Sequence, residues 1–218
     1  LSVDFKLYLI TDRKQTSLPL PEAVRLALSG GVRAIQVREK DLPVRELLGL
    51  SRELRVSTRE FGAKLFINDH VDIALAVGAD GVHLGHHSMP ASAVRKIIGD
   101  KMMIGVSAHT VEEARVAEAD GADFITFGPI YETPSKSKMG KPIGLEPLKE
   151  ARRSLNIPIF AIGGIQGRNI GHVLWAGAYG VAMISAIFGA EDIRKKAKNI
   201  TEMIQIVDRA ICVQCGRR

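Results

Sequence analysis

The residues best equipped for chemistry are the pentapeptide Gln36-Val37-Arg38-Glu39-Lys40 and the pair Asn68-Asp69. Each follows a short apolar run and precedes a helical pattern. In a parallel β/α protein that junction is the C-terminal end of a strand, where reactive groups gather. Arg38 and Lys40 are two apart, so an extended segment directs both to the same side. Two fixed cations on one side suit a phosphate or pyrophosphate. Asn68 and Asp69 offer oxygen ligands of the kind that Mg²⁺ accepts. Taken alone, the pentapeptide also reads as a solvated charge run at a strand end, and its company decides between the two.

Those residues need elements to carry them. Short β-rich runs recur at 6–11, 34–38, 64–68, 81–84, 102–106, 124–127, 159–162 and 180–184. Helical patterns fill the gaps at 20–29, 43–61, 71–77, 90–98, 111–119, 145–155 and 166–175, with a final one at about 191–210. The punctuation repeats as Gly30-Gly31, Gly78, Gly121 and Gly177, each just beyond a helix, where glycine permits the left-handed turn into the next strand. Eight strands and eight helices predict α/β architecture: a single (β/α)₈ TIM barrel over residues 1–210, with 211–218 as a C-terminal tail. A doubly wound open sheet is the runner-up.

Composition narrows the function. The 218 residues are 46% hydrophobic and 25% charged, as in an ordinary globular protein. Aromatics at 5% are too few for a stacking platform on single-stranded nucleic acid. The net charge of +6 is dispersed, which suits anionic small molecules, and no nucleic-acid partner is expected. Residues 169–190 lack Asp, Glu, Lys and Arg, but His172 and four glycines interrupt them. They read as a helix, a turn, a buried strand and a helix start, so no membrane span is expected. Asp4, Lys6, Asp12 and Arg13 break up the opening segment, so no signal peptide is expected in it. Cys212 and Cys215 form one CxxC, a weak zinc signal, and are expected to be a reduced tail in a cytoplasmic protein. A homo-oligomer is left open.

Collecting the strand ends gives Thr11-Asp12, 36–40, Asn68-Asp69, 83–87, Ser107, 128–138, Gly163-Gly164 and Ser185. Gly163-Gly164-Ile165 after the seventh strand and Ile184-Ser185-Ala186 after the eighth both lead into helices. Backbone N–H groups there make the phosphate site common in such barrels. The loop 128–140 carries hydroxyls and cations that could close over a polyanion. His83, His86 and His87 match no catalytic-zinc spacing; His83 is expected inside the barrel and the other two in a loop.

The segments YLITDR (8–13), QVREK (36–40), FINDHVDIALAVGADGVHLG (66–85), IGVSAHTVEEA (104–114), ADFITFGPIYETPSK (122–136), IPIFAIGGI (157–165) and AGAYGVAMISAI (176–187) resemble, in order, the thiamine-phosphate synthase family. Its superfamily also holds thiazole tautomerases. The resemblance implies a transferase. A hydroxymethylpyrimidine pyrophosphate would ionise with Mg²⁺ assistance, and a thiazole phosphate carboxylate would capture the cation, giving thiamine phosphate and pyrophosphate. By similarity, Arg38, Lys40 and Lys136 serve the pyrophosphate and Asp69 the metal. Gln36 and Asn68 bind the pyrimidine diphosphate, and Ser107 lies near its ring. Thr133 and Ser135 match loop hydroxyls; Gly163, Gly164, Ile184 and Ser185 match the site of the thiazole or product phosphate. One departure stands out. Family synthases usually carry Asp, a second Mg²⁺ ligand, where this chain has Ser88, and a hydroxyl is the poorer ligand for a hard cation. Ser88 therefore favours the alternative, a tautomerase-like or non-catalytic thiazole-phosphate-binding relative. Asn68-Asp69 and Pro129 favour the synthase.

Overall fold

The computed structural model describes residues 2–133 and 142–214. Ser135, Lys136, most of the 128–140 loop and Cys215 lie outside the described residues. Eight parallel strands close into a barrel in sequence order, β1 pairing with both β2 and β8. They are β1 (Leu7–Ile10), β2 (Ala34–Val37), β3 (Lys64–Asn68), β4 (Gly81–Leu84), β5 (Met103–Ala108), β6 (Phe124–Phe127), β7 (Ile159–Ile162) and β8 (Gly180–Met183). Helices α1 (Leu20–Ser29), α2 (Val44–Glu60), α3 (Val71–Val77), α4 (Ala91–Ile98), α5 (Val111–Ala119), α6 (Leu145–Ser154) and α7 (Ile170–Trp175) pack outside. The fold is a (β/α)₈ barrel.

Where the sequence pattern shows one helix after β8, the structure has two, α8 (Ser185–Phe188) and α9 (Ile193–Gln214). Gly189 ends the first, and the Asp192 carboxylate, accepting from the Lys195 N–H at 2.8 Å, opens the second. Helix α9 runs past 210 because Val207 and Ile211 continue the apolar stripe of Ile193, Ala197, Ile200 and Ile204. Gly31, Gly78, Gly121 and Gly177 take the positive φ that their turns demand, as at Gly78 with φ 60°, whereas Gly30 keeps φ −80°.

Two apolar layers hold the strands. Outward side chains such as Leu9, Ile35, Leu65 and Val82 meet the helices. Inside, Phe5, Tyr8, Phe66, Phe124 and Phe160 form an aromatic plug, with Phe5 stacked on Phe160 at 5.2 Å and Tyr8 edge-on to Phe66 at 5.3 Å. Room comes from neighbouring glycines: a Cβ on Gly81 would lie 2.5 Å from the Phe66 ring, and one on Gly105 would lie 2.4 Å from that of Phe124. The barrel is thus filled by apolar side chains below, and the polar residues of its C-terminal mouth stand on that floor.

Candidate active site

Strand β2 delivers Gln36, fully buried, and then Arg38, Glu39 and Lys40 as the chain leaves the barrel. The buried Thr11 accepts the Arg38 N–H on its Oγ1 at 2.9 Å, which ties this exit to the loop after β1. Glu39 overturns the solvated-charge reading of the pentapeptide, being only 4% exposed. Its carboxylate accepts the Arg13 backbone N–H and, at 3.1 Å, the Arg13 guanidinium. Arg38 is half-buried and Lys40 exposed, and neither side chain hydrogen-bonds or ion-pairs with another described residue. Two cations therefore stand available beside the mouth.

Strand β3 ends at Asn68, and Asp69 turns with φ 62°, a left-handed conformation that costs a non-glycine residue about 1–3 kcal/mol. Its surroundings hold it there. The Asp69 N–H donates to the His83 carbonyl at 2.9 Å, and the Asn68 amide donates to Asp69 Oδ2 at 2.6 Å. The Ser88 hydroxyl donates to Asp69 Oδ1 and itself accepts the Gly85 N–H at 2.6 Å. Ser88 thus touches Asp69 directly. One carboxylate with a hydroxyl and an amide oxygen beside it is an all-oxygen donor set. It fits a hard dication whose remaining ligands come from substrate phosphates and water, which is how Mg²⁺ is usually held. Among the described residues no group of three or more His, Cys, Asp and Glu forms a protein-only cage.

A polar chain crosses the barrel beneath this mouth. Gln36 Nε2 donates to Tyr8 Oη at 3.1 Å, Tyr8 Oη lies 3.4 Å from His83 Nδ1, and His83 Nε2 lies 3.0 Å from Ser107 Oγ. Thr126 completes it, 3.3 Å from the Ser107 hydroxyl. Burial pushes the His83 pKa down to about 3, with the Arg38 charge adding to the effect and Asp69 opposing it. The imidazole is neutral near pH 7. Ser107 lies within β5, not after it, because that strand runs on to Ala108 opposite Phe127. His86 and His87 are exposed in the β4 loop, away from His83's buried place. Sequence reasoning passed over Tyr8 and Thr126. The available signal was register: Tyr8 shares the parity of Gln36 on the adjoining β2, and Thr126 pairs with Ser107 on the adjoining β5.

Across the mouth, Gly163, Gly164, Ile184 and Ser185 come together around a cavity of about 210 Å³, with Thr133 and Glu132 at its side. Gly163 and Gly164 have φ 93° and 64°. They also lie tight under the β6 loop: a Cβ on Gly163 would be 2.5 Å from that of Pro129, and one on Gly164 would be 2.5 Å from the Glu132 carbonyl. Ser185 starts α8, whose first N–H groups have no partner within the helix. Uncharged donors converging on a small cavity can hold a phosphate through the backbone.

The description of the family model that matches residues 7–187 is thiamine monophosphate synthase. A protein of Geobacter sulfurreducens described as a putative thiamine-phosphate synthase is 53% identical over 203 residues, 93% of this chain and 95% of its own. The thiamine-phosphate synthase of Moorella thermoacetica is 49% identical over 89% of this chain and 93% of its own. Among solved structures, a thiamine phosphate pyrophosphorylase from Pyrococcus furiosus superposes with a TM-score of 0.86 at 43% identity, covering 93% of this chain and 96% of that one.

Proposed function

The chain belongs to the thiamine monophosphate synthase family, and we propose that it joins a hydroxymethylpyrimidine pyrophosphate to a thiazole phosphate carboxylate, releasing pyrophosphate and thiamine phosphate. The observation that carries this reading is the pairing of two unspent cations, Arg38 and Lys40, with the Asp69–Ser88 corner at one mouth. A site for a monophosphate alone would need only the β7–β8 cavity. A departing pyrophosphate needs fixed positive charge and a hard-cation ligand as well.

Arg38 and Lys40 bind the diphosphate and stabilise the charge that grows on it as the bond to the pyrimidine methylene breaks. Lys136 serves the same anion from the β6 loop. Gln36 and Asn68 orient the pyrimidine diphosphate. One N–H of each amide is committed, to Tyr8 and to Asp69, which leaves a second N–H and the carbonyl oxygen on each to meet the ligand. Ser107, fixed by the neutral His83, lies at the pyrimidine ring. Thr133, Ser135 and the Gly163, Gly164, Ile184 and Ser185 cradle hold the thiazole phosphate so that its ring nitrogen meets the cation. The aromatic plug keeps water from beneath the reacting centre, which protects a carbocation from hydrolysis. No protein nucleophile takes part. Asp69, with Ser88 beside it, would hold Mg²⁺, which supplies further neutralisation of pyrophosphate charge when bound.

Small phosphorylated substrates are the partners of this reading, and the cytoplasm, which suits the exposed free Cys212, is its compartment. Among the described residues no helix is long and apolar enough to cross a membrane. The test is an assay with both substrates, with and without Mg²⁺. Thiamine phosphate formed only with both substrates and the metal is the expected result. Thiamine phosphate binding without turnover would favour the non-catalytic alternative, to which Ser88 lends some weight.

A further inference from the structure

Resting on the reading of Arg38 and Lys40 as diphosphate-binding cations, we infer that Arg13 is a positioning residue that keeps them free for the anion. It does so by holding the two carboxylates that would otherwise neutralise them.

Residues 38 to 41 alternate in charge as Arg, Glu, Lys and Asp. Glu39 and Asp41 are the carboxylates adjoining Arg38 and Lys40 in sequence, and turned toward them they would compete with any ligand anion. The structure turns both away, toward the loop after β1. The Arg13 guanidinium spans the two: Nη1 lies 3.1 Å from Glu39 Oε2 and 2.6 Å from Asp41 Oδ1, while Nη2 lies 3.0 Å from Asp41 Oδ2. The Arg13 backbone N–H also donates to Glu39, and Lys14 Nζ reaches Asp41 at 2.7 Å. A planar guanidinium can hold two carboxylates at once, which a lysine ammonium does less well. The loop that presents it is itself fixed, since the Asp12 carboxylate accepts the Lys14 N–H at 3.1 Å and caps a 3₁₀ turn over Arg13–Gln15. Asp41 is drawn well below the ordinary carboxylate range, by Arg13 first and then Lys14, so it stays charged and committed near neutral pH. Arg13 and Lys14 thus take up Glu39 and Asp41, and Asp12 is turned onto the Lys14 N–H, so Arg38 and Lys40 are left without a carboxylate partner among the described residues.

Calorimetric titration with inorganic pyrophosphate in Mg²⁺ tests this on the full chain. Arg13→Ala should weaken binding by about fivefold, the scale of two released surface charge pairs. Adding Glu39→Gln and Asp41→Asn to that variant should restore binding to within about twofold of the parent, because the competing carboxylates are then gone too. The double variant Glu39→Gln/Asp41→Asn with Arg13 in place should bind at least as tightly as the parent, and it keeps the test alive if Arg13→Ala does not fold. Unchanged binding in Arg13→Ala, a triple variant as weak as Arg13→Ala, or a double variant weaker than the parent would each overturn the inference. Arg38→Ala is the control. If it leaves pyrophosphate binding intact, the diphosphate reading itself fails; if it weakens binding while Arg13→Ala does not, only the role of Arg13 fails.

Discussion

Across the barrel mouth, the β2–β4 rim presents charged side chains, Arg38 and Lys40 with Asp69. The β7–β8 rim lines its cavity with Gly163, Gly164, Ile184 and Ser185, and Glu132 at the side is the only charged residue among its described lining. Both rims suit anions, but by different physics. Side-chain cations respond to charge that develops on a ligand, and their effect is felt where a bond breaks. Backbone N–H groups respond to shape and cost little reorganisation, which suits an anchor that must hold substrate and product alike. A phosphate that stays can sit on backbone donors, whereas a pyrophosphate that leaves needs charge.

The largest effect should separate the rims outright. Arg38→Ala removes a cation from the developing pyrophosphate and should slow turnover by roughly 10²–10³-fold, about 2–4 kcal/mol of transition-state stabilisation. Asp69→Ala should slow it comparably. Both should leave thiamine phosphate binding, measured by calorimetry, close to parental. Equal damage to binding in either variant would mean that the rims are one site and not two.

The reverse cut is Gly164→Val. A branched side chain at φ 64°, whose Cβ starts 2.5 Å from the Glu132 carbonyl, must displace the β6 loop from the cavity wall. Binding of thiamine phosphate should weaken by roughly 100-fold, given strain of about 1–3 kcal/mol before the clash is counted. Pyrophosphate binding with Mg²⁺ should persist. Loss of both would trace the effect to misfolding, which circular dichroism would expose.

The two rims were unequally legible in the sequence. Gly163-Gly164 and Ser185 could be placed because glycine punctuation fixed the strand count, and their task depends on backbone position. The cations could be seen, but not what frees them. Glu39 is buried through Arg13, 26 residues away, a distance no local pattern encodes. Tyr8, His83, Ser107 and Thr126 meet only once eight strands share one register. The aromatic plug was hidden by averaging: a chain of 5% aromatics spends five of them in one layer. A helix start at Ser185 and a final helical pattern from about 191 were both legible, but α8 is a single turn over Ser185–Phe188, too short for a periodic pattern to count as a helix of its own.

The charged rim stands on a neutral floor, and pH can test that. The folded pKa of His83, about 3, lies below its ordinary value of 6.5. The unfolded chain therefore binds the proton first as pH falls, so stability is full above pH 6.5 and is lost on the way down toward pH 3. Between pH 6.5 and 5 the loss from this group should be about 2 kcal/mol. Urea unfolding of the parent and of His83→Gln across this range is the measurement, and the variant should lack that share of the slope. An identical slope in both would mean that the barrel floor tolerates charge.

The smallest expected effect bears on the weakest part of the charged rim. Ser88 donates its hydroxyl to Asp69 and takes the Gly85 N–H, so it completes the corner without adding charge. Replacing it by Asp puts a second carboxylate against the first. Without a cation the two repel, and Ser88→Asp should melt at a lower temperature than the parent in chelator. With Mg²⁺ the same pair attracts a hard dication more strongly. The concentration giving half-maximal turnover should fall by about tenfold, equivalent to about 1.4 kcal/mol of added attraction. The uncharged rim should not notice, and affinity for thiamine phosphate measured without the metal should hold. A Mg²⁺ requirement that stays the same or rises, together with unchanged melting in chelator, would mean that the dication sits away from Asp69. The charge of this rim would then belong to Arg38 and Lys40 alone.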